Sequence, residues 1–439
     1  MPQTALAAGF TAAAFDAFLA GRQEPIWVAE LRRQAWETFE KLALPSRREE
    51  EWMRTDIRLF RLDRFALPSN SSPGELAPGA AAPPALLTHR VDLAGQATAL
   101  NSRPLGSRLD DELARRGVLF GSLDALVAEH GDLLRPHLFK VVNPNVDKFA
   151  ALHAACWSGG MLLYVPRGVR IEKPLHMLSA LAGGAVDLGH VLIVLEEGAE
   201  ATVLAETAGD DSASLHCGAI EVVVGKGAKL RYVNLQNWGA GTWHFAHQRG
   251  TVDRDGALQW TIGALGSRLA KVNQHVALIG EGADVQVNGV MFTEGKQHLS
   301  YHTLQHHRAQ HCHSDLLYKG ALQDHSQLVW RGMIKVDPGA QKTNAYQRDD
   351  NLMLSEQARA DSIPGLEIEA DDVICTHGAT AGRVDDSQIF YARCRGLTRN
   401  EAVRMIVAGF FQQVFDRITI ESVRDALGEA IGRRIREYD

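Results

Sequence analysis

Two residue types that bind transition metals lie two positions apart in the last quarter of the chain, at Cys375 and His377. They follow a stretch in which Leu366, Ile368 and Ala370 alternate with acidic residues, a pattern that predicts a half-buried strand. If the strand continues, its period of two places the thiol and the imidazole on one face. Soft sulfur beside imidazole nitrogen suits iron or zinc, or a thiolate assisted by histidine. Two ligands do not make a complete site, so the pair alone does not define a function.

Length, charge and the termini restrict the class of protein. At 439 residues the chain exceeds the roughly 250–300 residues at which one core stops growing, so two or three domains are expected. The net charge of −7 argues against nucleic-acid binding. The one dense basic run, at residues 433–436, does not change this conclusion. The N-terminus lacks the basic region of a signal peptide. The longest apolar run, Met405 to Phe411, is far shorter than the ~18 residues that cross a bilayer, so no membrane association is expected.

The cysteines are odd in number, scattered, and contain no CxxC motif: Cys156, Cys217, Cys312, Cys375 and Cys394. This set fits neither a disulfide framework nor a zinc finger, and it predicts a reducing compartment. We therefore expect a cytoplasmic protein. Cys156, Cys217 and Cys394 are interpreted as small core or edge residues.

A repeated phrase predicts the central architecture. Gly-Ala turns followed by alternating residues begin at Gly198, Gly227, Gly256 and Gly282, spaced 29, 29 and 26 residues apart, and Gly168 precedes the first by 30. A near-constant period of this length is typical of a β-solenoid, whose coils stack to share a core. Looser Gly-Ala phrases at positions 320, 339 and 378 extend the solenoid to the Cys-x-His stretch. A β-sandwich is the alternative, although its strands would recur every 8–12 residues.

The chain divides into five predicted segments: a helical region at 1–65, a Pro/Gly/Ala-rich linker at 66–85, a second helical segment at 86–145, the β core at 146–396 and a helical region at 397–439. The last region opens with a capping box at Thr398–Glu401. Its helices either cap an exposed sheet edge or dock a partner. Phe410, Phe411 and Phe415 present more apolar surface than one narrow stripe of a helix can bury, so we favour docking of a partner.

Seven histidines and a cysteine lie close together: His298, His302, His306, His307, Cys312, His311, His313 and His325. They could form a metal site. In a strand, however, His302 and His306 stand about 13 Å apart. We therefore favour a solvated, histidine-rich face of the solenoid.

No complete catalytic motif is present. The chain has no P-loop, no three-glycine dinucleotide fingerprint, no G-x-S-x-G and no H-E-x-x-H. The calcium-loop-like residues 253–256 lack the later glutamate. We expect a protein that is not itself an enzyme.

Several ordered motifs from about residue 45 to the C-terminus resemble the SufB/SufD family of iron–sulfur cluster assembly proteins. They are R-R-E-E-E-W-M-R-T-D (47–56), N-P-N (143–145), Y-V-P-R-G-V (164–169), K-P (173–174), N-L-M-L-S (351–355), C-T-H-G-A-T (375–380) and F-Y-A-R-C-R-G (390–396). The C-T-H-G-A-T phrase and the E-W-x-x-T-D start are more similar to SufD than to SufB. Departures are Cys394, where the family usually has serine, and Met53-Arg54 in place of a common lysine–tyrosine pair.

The resemblance implies a right-handed parallel β-helix flanked by N- and C-terminal helices. It implies a complex with SufB and with the ATPase SufC, which would hold the C-terminal helices. Cys375 and His377 match the SufD motif thought to face SufB, where a transient iron–sulfur cluster or iron would be held. No tightly bound cofactor is implied for the isolated chain. Neither flavin binding nor homodimerisation of the isolated chain follows from the residues.

Two other functions remain as alternatives. A polysaccharide-acting β-helix enzyme would need a carboxylate cluster, for which Asp371-Asp372 or Asp385-Asp386 are available. A purely structural adaptor would use Cys375 and His377 only for packing. Iron and sulfide analysis after reconstitution separates the adaptor from the scaffold.

Overall fold

The computed structural model describes residues 9–67, 85–88 and 91–435. Its centre is a parallel β-solenoid in which the chain passes back and forth between two sheets. Sheet A contains, in spatial order, β2 (Arg103–Leu109), β1 (Gly95–Leu100), β5 (Leu175–Leu181), β8 (Glu200–Gly209), β10 (Lys229–Gln236), β12 (Ala257–Ala264), β14 (Asp284–Thr293), β16 (His313–Leu322), β18 (Asn344–Met353) and β20 (Ile374–Arg383).

Sheet B faces sheet A across the core. Its spatial order is β3 (Leu119–Ser122), β4 (Gly160–Val165), β7 (His190–Leu195), β9 (Leu215–Val224), β11 (Trp243–Val252), β13 (Leu269–Leu278), β15 (His298–His307), β17 (Gln327–Val336) and β19 (Arg359–Ile368), while β6 (Val186–Asp187) also pairs with β9. All pairings are parallel except β1 with β2 and β3 with β4. Successive strand pairs, from β4/β5 to β19/β20, make about eight coils, so the predicted mainly β solenoid is confirmed.

Left-handed backbone forms the corners, as the glycine phrase predicts. Positive φ values from 61° to 73° occur at Gly168, Gly198, Gly227 and Gly282. Glycine adopts this region without a steric penalty. At the third phrase Asp255, with φ 54°, takes this role in place of Gly256. Gly320 and Gly378 lie inside β16 and β20, so their interpretation as corners is wrong, although the solenoid does reach β20.

Helices flank the solenoid: α1 (Ala12–Ala20), α2 (Ile26–Lys41), α3 (Asp111–Arg115), α4 (Leu123–Glu129), α5 (Gly131–Leu134), α6 (Lys148–Cys156), α7 (Asp386–Cys394), α8 (Arg399–Phe415) and α9 (Glu421–Arg434). The N-terminal helices and α6 pack on the outer face of sheet B through aromatic residues such as Trp36, Trp52 and Phe149. The helices α7–α9 pack on the outer face of sheet A, where Phe411 and Leu427 contact its apolar residues. Helices thus pack on the outer face of each sheet, while no described segment adds a further coil beyond β19 and β20.

Three predictions about secondary structure need correction. Residues 86–145 are not simply helical, because β1, β2 and β3 extend the two sheets at their first coil. The predicted helical region at 1–65 is helical only in part: α1 and α2 are separated by a break that ends at Pro25, and after Lys41 its described residues contain only two short 3₁₀ turns, Glu50–Trp52 and Leu62–Arg64. Helix α7 lies before residue 397, whereas the capping box at Thr398 and Glu401 is confirmed. Most of the predicted linker, residues 68–84, lies outside the described residues.

Candidate site at the open end of the solenoid

The last coil leaves two strand edges free. Within the described chain β20 pairs only with β18, and β19 pairs only with β17. Apolar side chains are exposed there, with 66% of Ile374 and 41% of Ile368 accessible. Unpaired strand edges are templates for pairing with another chain. The end of the solenoid is therefore suited to a protein partner.

Cys375 and His377 lie on one face of β20, as the strand period predicts. They are in register with Ala345 and Gln347 of β18, whose side chains are buried inside the solenoid. The thiol and the imidazole thus occupy interior positions on a coil that no further coil covers. His377 is exposed as a result, and Cys375 is half-buried.

The Cys375 thiol packs against the last apolar cluster of the core, which contains Ile334, Val336, Ala340 and Ala345. Burial raises the pKa of this thiol, although a backbone hydrogen bond at Ala345 opposes the shift. A metal ion bound there must therefore displace a proton, since the thiolate is the ligand. Across the described ranges, no three His, Cys, Asp or Glu side chains are grouped closely enough to hold a metal ion. The pair is an incomplete ligand set.

A buried polar layer lies one coil beneath the pair. Gln347, Asp349 and Asn351 alternate along β18, with side chains at most 3% exposed. The Asp349 carboxyl accepts hydrogen bonds from the Ser362 hydroxyl at 2.5 Å and from Asn351 Nδ2 at 2.6 Å. Its Oδ1 has no hydrogen-bond partner among the described residues, and burial raises the pKa of Asp349 to about 7. The sequence pattern gave no indication of this carboxyl.

A cavity of about 370 Å³ opens beside this layer at the last coil. Its walls include Ala360 and Ser362 of β19 and Ala379 and Ala381 of β20. Ala379 is in register with Asp349, so only a methyl group lies next to the carboxyl in the last coil. Ser362 both lines the cavity and donates to Asp349, which places the carboxyl directly behind the cavity wall.

The histidine-rich stretch differs from the expected solvated face. His302 and His307 are 7% and 0% exposed, because they lie under neighbouring elements rather than in solvent. Burial, with the charges of Lys271 and Arg331, lowers the pKa of His302. The half-buried His306 contacts Asp337 at 2.8 Å, and the exposed His313 contacts Asp284 at 2.7 Å. The two histidines thus have different carboxylate partners.

The other predicted residues are distributed through the chain. Cys156 and Cys217 are buried core residues, whereas Cys394 is exposed on α7. Phe411 is 1% exposed and packs against sheet A, so the reason for assigning it to partner docking is removed. Phe410 and Phe415 are half-buried against the same cluster. The three rings therefore do not form an exposed apolar patch.

The chain is similar to known proteins along most of its length. Residues 178–410 match the family model described as SUF system FeS cluster assembly, SufBD core domain, and residues 19–177 match the SufBD protein N-terminal region. The iron–sulfur cluster assembly protein SufD of Bacillus subtilis is 30% identical, covering 94% of this chain and 95% of that protein. SufB of the same organism is 26% identical, covering 91% of this chain and 88% of that protein. A SufBD family protein of Staphylococcus epidermidis is also 26% identical, with the same coverages.

The fold and its open-ended pair define a β-solenoid protein flanked by helices, with residues suited to metal binding on its last coil. The chain belongs to the SufBD family of iron–sulfur cluster assembly proteins and is SufD-like. No helix among the described residues is both long enough and apolar enough to span a membrane.

Proposed function

We propose that this chain is a non-enzymatic scaffold subunit of iron–sulfur cluster assembly that acts with a SufB-like paralogue and a SufC-like ATPase in the cytoplasm. The position of Cys375 and His377 on the uncovered last coil, beside two free strand edges, is the observation that supports it most directly. A partner that adds strands to these edges would bring its own ligands to the pair. The absence of a P-loop from the sequence agrees with ATP hydrolysis by the partner.

In this proposal the cluster, or iron on its way into it, is cargo held between two chains. Cys375 supplies a thiolate and His377 an imidazole, and the SufB-like partner completes the coordination shell. Closure by the partner would exclude water, and movement driven by the ATPase would expose the cluster again. The role of this chain is then to position ligands.

The ATPase is proposed to contact the C-terminal helices, but through residues other than Phe410, Phe411 and Phe415. Phe390 and Tyr391 of α7 are 69% and 62% exposed, and Met405 of α8 is 54% exposed. Apolar side chains of this size on neighbouring helices suit partner binding better than the buried Phe411. We assign docking to these exposed residues.

The carbohydrate-active alternative receives no support from the candidate carboxylates. Asp372 forms an ion pair with Lys342, Asp385 caps α7, and Asp386 lies 3.7 Å from Arg399. Each has a local structural role, and family membership points to iron–sulfur assembly.

Cluster reconstitution on the three-protein complex tests the proposal. Cys375→Ala and His377→Ala should each remove most of the iron and acid-labile sulfide that the complex acquires, with the complex still assembled. Cys394→Ala and His325→Ala are matched controls, because both residues are exposed and lie outside the pair. Normal cluster content in both the Cys375 and the His377 variants would refute shared ligation and favour the structural adaptor.

A further inference from the structure

The buried carboxyl of Asp349 has no cation beside it. Its side chain is fully buried, and its two hydrogen-bond donors, Ser362 Oγ and Asn351 Nδ2, both bind Oδ2. Oδ1 has no partner, and no basic side chain in the described part of the chain forms an ion pair with either oxygen. A buried carboxylate is unfavourable unless a positive charge compensates it. Oδ1 of Asp349 is therefore suited to a cationic donor.

Neighbouring groups within the described chain do not supply this cation. Asp350 has the same charge as Asp349, and the cations Lys319 and Arg348 pair with Asp350 on the other face of β18. In the preceding coil Tyr318 is in register with Asp349. Burial raises the pKa of Tyr318, so this phenol stays neutral. The remaining approach to the carboxyl is from the end of the solenoid.

The last coil leaves room on that side. The residue of β20 in register with Asp349 is Ala379, so only a methyl group lies next to the carboxyl there. The cavity of about 370 Å³ lies in the same coil, and Ser362, which donates to Asp349, forms part of its wall. His377 is in register with Gln347 instead, one residue pair along the strands. A side chain that enters the cavity from a further coil therefore approaches Asp349.

Lysine and arginine have the reach and the donors that this position requires. A coil added by a partner at the free edges would lie two strand spacings, roughly 10 Å, from β18. Both side chains carry their charge at the end of a stem of three or four methylene groups, so they span most of this distance. Both also donate hydrogen bonds without accepting any, which matches an oxygen that lacks a donor.

Exposed charges at the end of the solenoid favour a cationic partner as well. Glu369 and Asp371, between β19 and β20, are exposed and have no ion-pair partner among the described residues. The carboxylates on either side of them, Glu367 and Asp372, are each paired with a lysine of this chain. The unpaired charges at this end are thus mainly negative, and complementary charge steers a partner to such a surface.

We propose that the SufB-like partner inserts a lysine or arginine side chain into this cavity, where it forms a buried ion pair with Asp349. The inference rests on the proposed function for the identity of the partner, and it adds a specific contact at the same site. A buried ion pair fixes the alignment of two chains, because a misaligned partner leaves both charges unpaired. Asp349 thus aligns the partner's ligands with Cys375 and His377.

Binding of the metal-free SufB-like partner to the full chain tests this contact. Asp349→Asn keeps the shape of the side chain but leaves the inserted cation without a counter-ion, so the Kd should rise about thirty-fold or more. Urea denaturation of the isolated variant shows that it is folded. Asp361→Asn is the matched control, since this carboxylate lines the same cavity but pairs with Arg359 at 3.0 Å. Its Kd should change less than about three-fold.

The other results of this experiment are distinct. An unchanged Kd in the folded Asp349 variant would overturn the insertion and leave Asp349 as a protonated structural carboxyl. Arg54 is exposed and also lines the cavity, so the same loss of affinity in Arg54→Met would place the cation within this chain and likewise overturn the inference. Failure of the unmodified chain to bind the partner would refute the proposed function together with this contact, whereas the first two results leave that function standing.

A double-mutant cycle identifies the inserted side chain. The lysines and arginines of the partner are replaced one at a time by methionine, and each variant is titrated with the unmodified chain and with Asp349→Asn. One replacement should weaken binding to the unmodified chain about ten-fold or more and change binding to the Asp349 variant little. Equal losses against both chains for every replacement would show that no cation of the partner is coupled to Asp349.

Discussion

The Lys319 ammonium lies 3.3 Å from the carboxylate of Asp350, and both side chains are at least 92% buried. The same ammonium sits 4.6 Å above the centre of the Phe410 ring on α8. Asp350 in turn accepts a hydrogen bond at 2.6 Å from the hydroxyl of Thr380, three residues after His377. Lys319 therefore connects the C-terminal helices to the strand that carries the candidate site.

Replacing Lys319 by methionine should loosen both of these elements. Hydrogen bonds from Thr380 and Arg348 and the charge of Lys319 hold the pKa of Asp350 below its usual range, although burial opposes this. Without the lysine, the buried Asp350 carboxylate keeps its hydrogen bonds but loses a neighbouring positive charge. We therefore expect a loss of about 1–3 kcal/mol in the free energy of unfolding. Urea denaturation measures the loss, and hydrogen exchange should show faster opening in β20 and α8. Lys335→Met, at an exposed pair with Glu367, is the control and should change little.

The fold could be predicted because its signals are local and repeated. Alternating residues and the Gly-Ala phrase recur in each coil, so the solenoid does not depend on one weak motif. The first coil was misassigned because β1–β3 are short and lie next to α3 and α4, where helical spacing and strand alternation overlap. At Gly320 and Gly378 the error is the assignment of strand residues to corners. A Gly-Ala pair inside a strand has the same sequence as one at a corner.

The site could be predicted only in part. Cys375 and His377 stand two apart on a strand, and the spacing alone gives their common face. Asp349 could not be found in this way, because Gln347, Asp349 and Asn351 resemble the solvent face of a strand and only the three-dimensional register shows that they point inward. The burial of Phe411 likewise depends on which face of sheet A the helix covers.

Lys271 should make stability depend on pH. Its ammonium is buried 5.5 Å from the centre of the Trp52 ring and has no hydrogen-bond partner in the part of the chain that the structure describes. Burial lowers its pKa to about 7. Between that value and the ordinary value of about 10.5, the unfolded chain binds a proton that the folded chain does not, so stability rises with pH across this window. Lys271→Met removes the cost of burying the charge and should raise the melting temperature at pH 7 more than at pH 10.

Thermal melts of both proteins from pH 6 to pH 10 check this prediction. Each unit of pKa shift corresponds to about 1.4 kcal/mol, so the difference between the curves should be easily resolved. Parallel curves for the two proteins would show that Lys271 is not the group that titrates.

The Asp349 carboxyl should make stability depend on pH in the direction opposite to Lys271, and Asp349→Asn should remove this dependence. The wild-type carboxyl ionises at about 4 when unfolded and at about 7 when folded, so the folded state loses stability as pH rises between these values. Asparagine keeps an acceptor for Ser362 and Asn351 without the charge, and this variant should be more stable than wild type at pH 8 and similar to it at pH 4. Chemical denaturation at the two pH values measures the effect. An Asn variant less stable than wild type at pH 8 would contradict it, and would imply a cationic partner for Asp349.

Glu221 should control how firmly the segment before α6 is held against sheet B. Its carboxylate is fully buried and accepts hydrogen bonds from the backbone N–H groups of Phe139, Val141 and Val142 at 2.6–2.8 Å. Glutamine can accept fewer of these hydrogen bonds and brings a competing donor, so Glu221→Gln should lower the local opening free energy of residues 139–142 by about 1–3 kcal/mol. Hydrogen exchange followed by mass spectrometry reports this directly. Glu196→Gln, which removes a partly exposed carboxylate 3.9 Å from His137, should leave the same amides protected, and equal exchange in both variants would show that the segment is held by apolar packing instead.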